Sequence, residues 1–372
     1  MLKLRRAVVV ETGDAHGPEQ RLTTEVQGRR REAIAEISLV GSAQVGDELL
    51  VNVQALDMGL GSGGFDIVHA NLTRGLDAEE ASDGGVMKLN YTSLQHAVAP
   101  VDDAQADLPL RRPVGVLALH GQLSAVAWAF ASAAPGKALG YVQTVGGALP
   151  GGHSHTVRAL RARGLLAGHL TAGSAFGGEG EAITTAGALH HGVRALGWDA
   201  AVCGPGPGIV GSGSALGHGG MSALDSAHTA LALGCPTLLV ARMSSADERP
   251  RHRGISHHTL TVLDLLLAPV TVGLPAGMRS PGGADLREGL GAVLAGAGAV
   301  EQAPPPASAG VAPKVKRPAR IARHDWRRAK VELPEFAAAG LPAQTMGRGV
   351  AQDPMFFAAA LAGGAVLAGL TG

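Results

Sequence analysis

The chain has 372 residues, 17 % of them charged and 3 % aromatic, with 31 basic side chains set against 31 acidic ones. That length can bury the core of one large domain and a smaller one, and a formal net charge of zero argues against a protein drawn to nucleic acid or anionic membrane by its overall field. Its 55 glycines follow no fixed period, which excludes a collagen-like chain.

The opening MLKLRRAVVVETGD holds an apolar run too short for a signal peptide. Residues 1–75 read as β. The runs AVVVET, RLTTEVQ, EAIAEISLV, DELLVNVQAL and FDIVHANL are rich in Val, Ile, Leu and Thr and are parted by glycine-containing turns. This spacing predicts a small barrel of the OB or SH3 kind. Barrels that grip nucleic acid stack bases on aromatic side chains. Here Phe65 is the lone aromatic, so the barrel is expected to be a structural module. The triplet Arg29, Arg30 and Arg31 is read as a solvated hairpin turn. Residues 76–112, acidic at first and apolar in the middle, form a connecting segment.

From Pro113 the pattern changes to alternating strands and helices, and residues 113–298 are expected to form an α/β domain. GVLALH, ALGYVQTV, AGHLTAG, the run through Cys203, TLLVARM and PVTVGLP are strand-like. The intervening QLSAVAWAFAS, SHTVRALRARG, GEAITTAGALHHGVRAL, SALDSAHTALALG, HHTLTVLDLLL and DLREGLGAVLAG are helical, with Ser154 and Ser256 as candidate N-caps. Such a rhythm implies crossover connections and a mostly parallel sheet covered on both faces. Glu179 and Glu181 are placed at a helix start, where they complement its dipole. His190, His191 and His228 are read as helix-surface residues.

Residues 299–330 read as a Pro/Ala-rich linker, and 331–372 as a tail ending in an apolar helix. That helix, 355–370, falls short of the roughly 20 residues a membrane span needs and carries a Gly-Gly pair. It is expected to dock on the body or to pair copies of the chain into a homo-oligomer. Cys203 and Cys235 are not expected to pair, which suits a reducing cytoplasm.

The chemistry gathers at one edge. The helix-to-strand connections are short and bland, whereas those from strand to helix carry the polar residues: His120 and Gln122, then TVGGALPGGHSH from Thr144, then SAFGGEGE. The last two are GPGPGIVGSGSALGHGG, which includes His218, and SSADERPRHRGISHH. Ligands of parallel sheets bind beyond the carboxyl ends of the strands, so a cleft is expected there. Gly206, Gly208, Gly211 and Gly213 form a loop whose N–H groups suit an anion. Its match to the dinucleotide fingerprint is weak, because it follows the fourth strand and lies far ahead of its helix. Arg251 and Arg253 suit a carboxylate or phosphate. His257 and His258 open a helix, whose positive end favours the neutral imidazole needed for proton transfer or metal binding. Asp247 and His252 are near enough in sequence to join them, as orienting group or ligand. The spacing from His252 to His257 is no zinc signature, so a metal, like any other cofactor, stays open.

VNVQALDMGLGSGGFDIV, MKLNYTSLQ, GPGIVGSGSALGH and SADERPRHRGISHHTLT together resemble a bacterial family catalogued as a domain of unknown function, over nearly the whole chain. In that family's pattern an Asp follows the Thr that Thr144 matches, and a His stands at the place of Ser174. This chain carries Val145 and Ser174 there, so any chemistry those side chains supply in relatives is not supplied at these positions here. The resemblance implies an architecture and a cleft, and no reaction.

The expectation is therefore an enzyme acting on a small anionic or phosphorylated substrate at the carboxyl edge. In it the glycines cradle the anion, Arg251 and Arg253 clamp it, and His257 or His258 moves the proton. The alternative is a ligand-sensing or scaffolding protein using the same cleft without chemistry.

Overall fold

The computed structural model describes residues 1–60, 63–76, 84–276 and 317–372. The acidic stretch 77–83, the helix DLREGLGAVLAG and the first part of the expected linker lie outside the described residues.

The five expected strands close into a barrel. Strand β1 (Leu4–His16) pairs antiparallel with β2 (Glu19–Val26) and with β4 (Glu48–Asn52). Strand β3 (Arg29–Glu36) continues from β2, and β5 (Asp66–Asn71) closes the ring, parallel to β3 and antiparallel to β4. Single helical turns α1 (Ile37–Val40) and α2 (Gln54–Asp57) follow β3 and β4. Alternate residues fill the interior, among them Val9, Leu22, Ala33, Ala35, Leu49 and Val51, as a period of two requires. One expectation fails here. Arg29 to Arg31 do not make a solvated turn but begin β3, and the Arg31 guanidinium forks onto buried Asp66 at 2.5 and 2.8 Å while also reaching Asp57 at 2.7 Å. A carboxylate buried at Asp66 needs such a partner.

The connecting segment contributes a small hairpin of β6 (Val86–Lys88) and β7 (His96–Val98) and then enters the body. The body's strands are β8 (Val114–Val116), β9 (Leu139–Thr144), β10 (Gly168–Ala172), β11 (Gly180–Ala182), β12 (Ala200–Pro205) and β13 (Thr237–Val240), followed, beyond a short hairpin of β14 (Met243–Ser244) and β15 (Gly254–Ile255), by β16 (Thr271–Pro275) and β17 (Asp325–Ala329). Eight of them form one sheet in the order β11-β10-β9-β12-β8-β13-β16-β17, with every pairing parallel. Helices α5 (Thr185–Arg194), α6 (Ser222–Ala232) and α7 (His257–Leu265) pack with one apolar cluster. Helices α3 (Leu123–Ala133) and α4 (His155–Ala162) share the opposite one. Both expected caps form: the Ser154 hydroxyl accepts the Val157 N–H and the Ser256 hydroxyl accepts the His258 N–H.

Two parts of the body were assigned otherwise from sequence. Glu179 and Glu181 do not open a helix, because Gly180–Ala182 is the edge strand. Glu181 instead accepts from Thr171 at 2.6 Å and pairs at 2.5 Å with Lys88, an ammonium that is itself buried. Within the expected linker, Asp325–Ala329 is the other edge strand, recruited by pairing with β16. A charged strand such as DWRRA is suited to an edge.

After α8 (Arg317–Ala322) and α9 (Leu333–Ala338) comes the apolar helix α10 (Pro354–Gly369), which packs on α3 and β16 inside the second cluster. Thirteen of its sixteen residues are buried, so of the two roles expected for this helix it takes that of docking on the body. The Gly-Gly pair serves contact: a Cβ on Gly364 would come within 2.3 Å of the Val126 carbonyl. A helix apolar all round belongs in a core or a membrane, and among the described residues no helix is long and apolar enough to cross one.

The barrel docks on the body through polar contacts. Glu36, at the end of β3, meets the His153 ring at 2.6 Å, and Glu19 meets Arg158 at 3.1 Å. Each of these carboxylates is buried.

Candidate functional site

The direction of chain progression explains where the site sits. From β8 the chain runs outward through β9, β10 and β11, returns to insert β12, and then leaves on the far side of β8 through β13 and β16. The loops after β12 and β13 therefore flank β8 at the point where strand order reverses, the usual ligand position in such sheets.

The loop after β13 folds back as the β14–β15 hairpin and ends at the Ser256 cap. This brings His252, His257 and His258 together, with one ring nitrogen from each lying within 4.8 Å of the others. His218, arriving from the glycine loop, stacks on His258 with ring centroids 3.5 Å apart. His252 is held by a 2.8 Å bond between its Nδ1 and the Ser256 hydroxyl. His258 Nδ1 accepts from Arg242 Nη1 at 2.7 Å. His257 Nε2 and both nitrogens of buried His218 make no hydrogen bond among the described residues.

The site is electrically unusual. Burial first, and then the charges of Arg242 and Arg249, hold the His252 ring down to about 3. Burial and Arg251 hold His257 down to about 4. Burial and Arg242 push His258 lower still, and burial lowers His218. All four rings are consequently neutral at physiological pH. Burial alone would raise the Asp247 carboxyl, but its bonds to Arg249 outweigh this and leave it ionised and well below the usual range.

The expected residues divide into those the fold gathers and those it does not. His218, His252, His257 and His258 converge. Arg251 lies over the cluster, reaching His252 Nε2 at 3.5 Å and the Gly213 carbonyl at 3.4 Å. Arg253 is exposed and bonds the Asp247 carbonyl instead. Asp247 does not orient an imidazole: its oxygens take Arg249 at 3.0 Å and face Arg242 and Arg348 at 3.5 Å.

Of the glycines, Gly208 adopts a φ of +82° and Gly206 presses on Gln143, whose amide a Cβ would meet at 2.3 Å. Gly211 bridges back to His218, and Gly213 stands at the exposed tip. Much of this loop closes on itself, with the Ser212, Ser214 and Gly217 N–H groups all donating within it. Because α6 begins only at Ser222 with no side-chain cap, the loop is a rim over the histidines rather than a dinucleotide cradle. Gln122 and Thr144 are buried in the sheet edge, Gln122 tying Ala118 and Leu119 to the carbonyls of Val240 and Ala241. His120 belongs to a separate group, bonded to Ser154 at 2.8 Å and Tyr141 at 3.3 Å.

Three residues escaped sequence reasoning. Arg242 is 4 % exposed at the end of β13, and a lone Arg inside TLLVARM was its signal. Asp353, fully buried ahead of α10, accepts from the Ser244 hydroxyl at 2.6 Å, the Ser245 N–H at 2.9 Å and Arg348 at 3.3 Å. It fastens the loop from more than a hundred residues away in sequence, and neither it nor Arg348 carried a local sign.

Among solved structures, the crystal structure of YjeQ from Thermotoga maritima is similar over 70 % of this chain and 64 % of its own, at 9 % identity and a TM-score of 0.13, a level that carries no argument. The match thus spans less than two thirds of that protein. No curated protein matches the chain. The model of one family, described as protein of unknown function (DUF3866), matches residues 32–364 and so takes in the barrel from within β3 onward, the whole sheet and the histidine loop. The chain belongs to that family.

Proposed function

We propose that the cleft after β12 and β13 is the active site of an enzyme acting on a small anionic substrate, phosphorylated or carboxylated. The observation that carries this reading is the pairing of Arg251 with the imidazole cluster. Its guanidinium meets only a ring nitrogen and a carbonyl, with no carboxylate in ion-pair reach among the described residues. A cation without a counter-charge beside buried and half-buried imidazoles favours an anion, and the fork of Arg suits carboxylate or phosphate. Beside it, neutral His257 keeps an Nε2 free of protein partners, as a proton acceptor needs. Asp247 serves at one remove, fixing Arg249 and Arg242.

The test is calorimetric titration of the full chain with inorganic phosphate, pyrophosphate and malonate. At least one should bind, and Arg251→Ala should weaken it about tenfold, as loss of a charge-assisted contact predicts. Failure of all three to bind, or an unaltered Arg251→Ala, overturns the reading. A metabolite released on denaturation and identified by mass spectrometry then becomes the trial substrate. Turnover lost in His257→Ala supports catalysis, and binding without turnover supports the sensing alternative.

A further inference from the structure

Three imidazoles within reach of one another, with a fourth stacked on them, are more than an anion needs. We propose that His252, His257 and His258 form a site for one divalent transition-metal ion of the zinc class, with the free nitrogen of His257 given to the ion and the proton-accepting role passing to His218, which faces the anionic substrate beside it; the substrate's role rests on the functional reading above, the ion's does not.

The geometry supports this in three ways. The ring nitrogens of the three residues already lie within 4.8 Å, and zinc–nitrogen bonds of about 2.0–2.1 Å place ligands of a tetrahedral ion about 3.4 Å apart. Side-chain rotation, without movement of the backbone, closes that difference. Next, His252 has the outer support of a metal ligand. The Ser256 hydroxyl accepts the His258 N–H and meets His252 Nδ1 at 2.8 Å. With the Nδ1 hydrogen on that bond, His252 Nε2 presents its lone pair to the cluster, where a long 3.5 Å contact from Arg251 Nε is all an ion has to displace, and such a partner on the far nitrogen is what fixes ligating rings. Finally, His218 is 8 % exposed and neither ring nitrogen makes a well-formed hydrogen bond among the described residues, the Ala215 backbone being the one hydrogen-bonding group near enough to act on it. A buried imidazole left so is costly unless a ligand completes it. Three protein nitrogens and an open position are the pattern of catalytic rather than structural zinc, and the ion there would polarise an oxygen of the substrate.

Arg242 opposes the ion. Its Nη1 occupies the lone pair of His258 Nδ1, while its Nη2 lies 3.5 Å from Asp247. Ligation through that nitrogen displaces the guanidinium toward Asp247, so Arg242 competes with the metal.

The experiment uses the full chain without an affinity tag, stripped with chelator and reloaded with zinc or cobalt(II) chloride. Elemental analysis should find about one ion per chain, and the cobalt form should show the visible absorption of a four-coordinate site. His252→Ala and His257→Ala should each weaken uptake about tenfold or more, His120→Gln should leave it unchanged, and Arg242→Met should tighten it. Less than about 0.1 ion per chain in the wild type overturns the site, as does uptake that survives both histidine changes. Should those variants not fold, a cobalt spectrum of the wild type without four-coordinate bands overturns it alone. Stripped protein that binds phosphate or pyrophosphate but no metal overturns the ion and keeps the anion reading. Metal uptake with no anion binding does the reverse.

Discussion

Two histidine groups sit on the same edge of one sheet and are built oppositely. Around His120 both ring nitrogens are spent on protein, one on Ser154 and the other on Tyr141, whose own hydroxyl reaches the carbonyls of Gly204 and Pro205. Around His258 the rings face one another, and His257 Nε2 has no hydrogen-bond partner among the described residues. At His120 the hydrogen bonding is closed, although His169, stacked on Tyr141 beside it, keeps a buried Nε2 without a partner among the described residues. The second group leaves it open, an arrangement that costs stability unless something else completes it. Counting partners separates the two where counting histidines does not.

The contrast can be broken or sharpened by substitution. The largest effect should come from the carboxylate behind the open cluster. Asp353→Ala strands Arg348 and the Ser244 and Ser245 donors in a buried setting, and a loss of about 3–5 kcal/mol is expected in urea unfolding. A change below about 1 kcal/mol would show that the C-terminal segment does not hold the loop.

Acid should act next, through the closed group. Burial lowers His120 to about 4, and burial together with the charge of His120 lowers His169, stacked on Tyr141, to about 3. Above 6.5, the ordinary value for a histidine, both folded and unfolded chains carry neutral rings, and that stability is fully present. As pH falls toward about 4 the unfolded chain takes protons that the folded one refuses, so stability is lost across that window. His120 contributes at most about 3 kcal/mol, less for its partly exposed edge. Unfolding curves at pH 7 and pH 5 read the loss directly, and superimposable curves refute it.

Removing the closed ring comes third. His120→Ala removes one partner from each of Ser154 and Tyr141, which keep the Val157 N–H and the Gly204 and Pro205 carbonyls, and should cost about 2 kcal/mol at pH 7. By contrast His257→Ala, at a position whose Nε2 has no protein partner among the described residues, should shift stability by less than about 1 kcal/mol while weakening metal uptake about tenfold or more. Equal costs at His120 and His257 would erase the distinction between the groups. Smallest of all is Gly213→Ala, whose Cβ meets nothing within 4 Å. It should change the melting free energy by no more than about 0.5 kcal/mol, and a larger change would mean the rim is packed rather than open.

Much of this was readable from residues. Local pattern is a short-range quantity: β-branched runs between glycine turns, a serine ahead of an apolar period, and polar residues confined to strand-to-helix loops all report on neighbours in sequence. They placed the five barrel strands, the β8 to β16 rhythm, the caps at Ser154 and Ser256, and the loop holding His252, His257 and His258. Where a residue's partner lay far off, reading failed. Glu181 resembled a helix start because Lys88 was not in view, and DWRRA resembled linker because β16 was not yet beside it. Asp247 resembled a histidine's partner because Arg249 and Arg348 compete for it only in space.

By itself, then, the chain's order of residues determined a small barrel followed by a parallel sheet, and the edge on which chemistry gathers, because periodicity and crossover length are written locally. Tertiary structure alone decided which histidines meet and that the apolar helix docks on the body. It also left Arg251, beside the histidines, with no carboxylate in ion-pair reach among the described residues. Those outcomes depend on contacts such as Asp353 to Ser244 and His218 to His258. A burial or a shared proton is a property of two surfaces brought together, and no segment carries it alone.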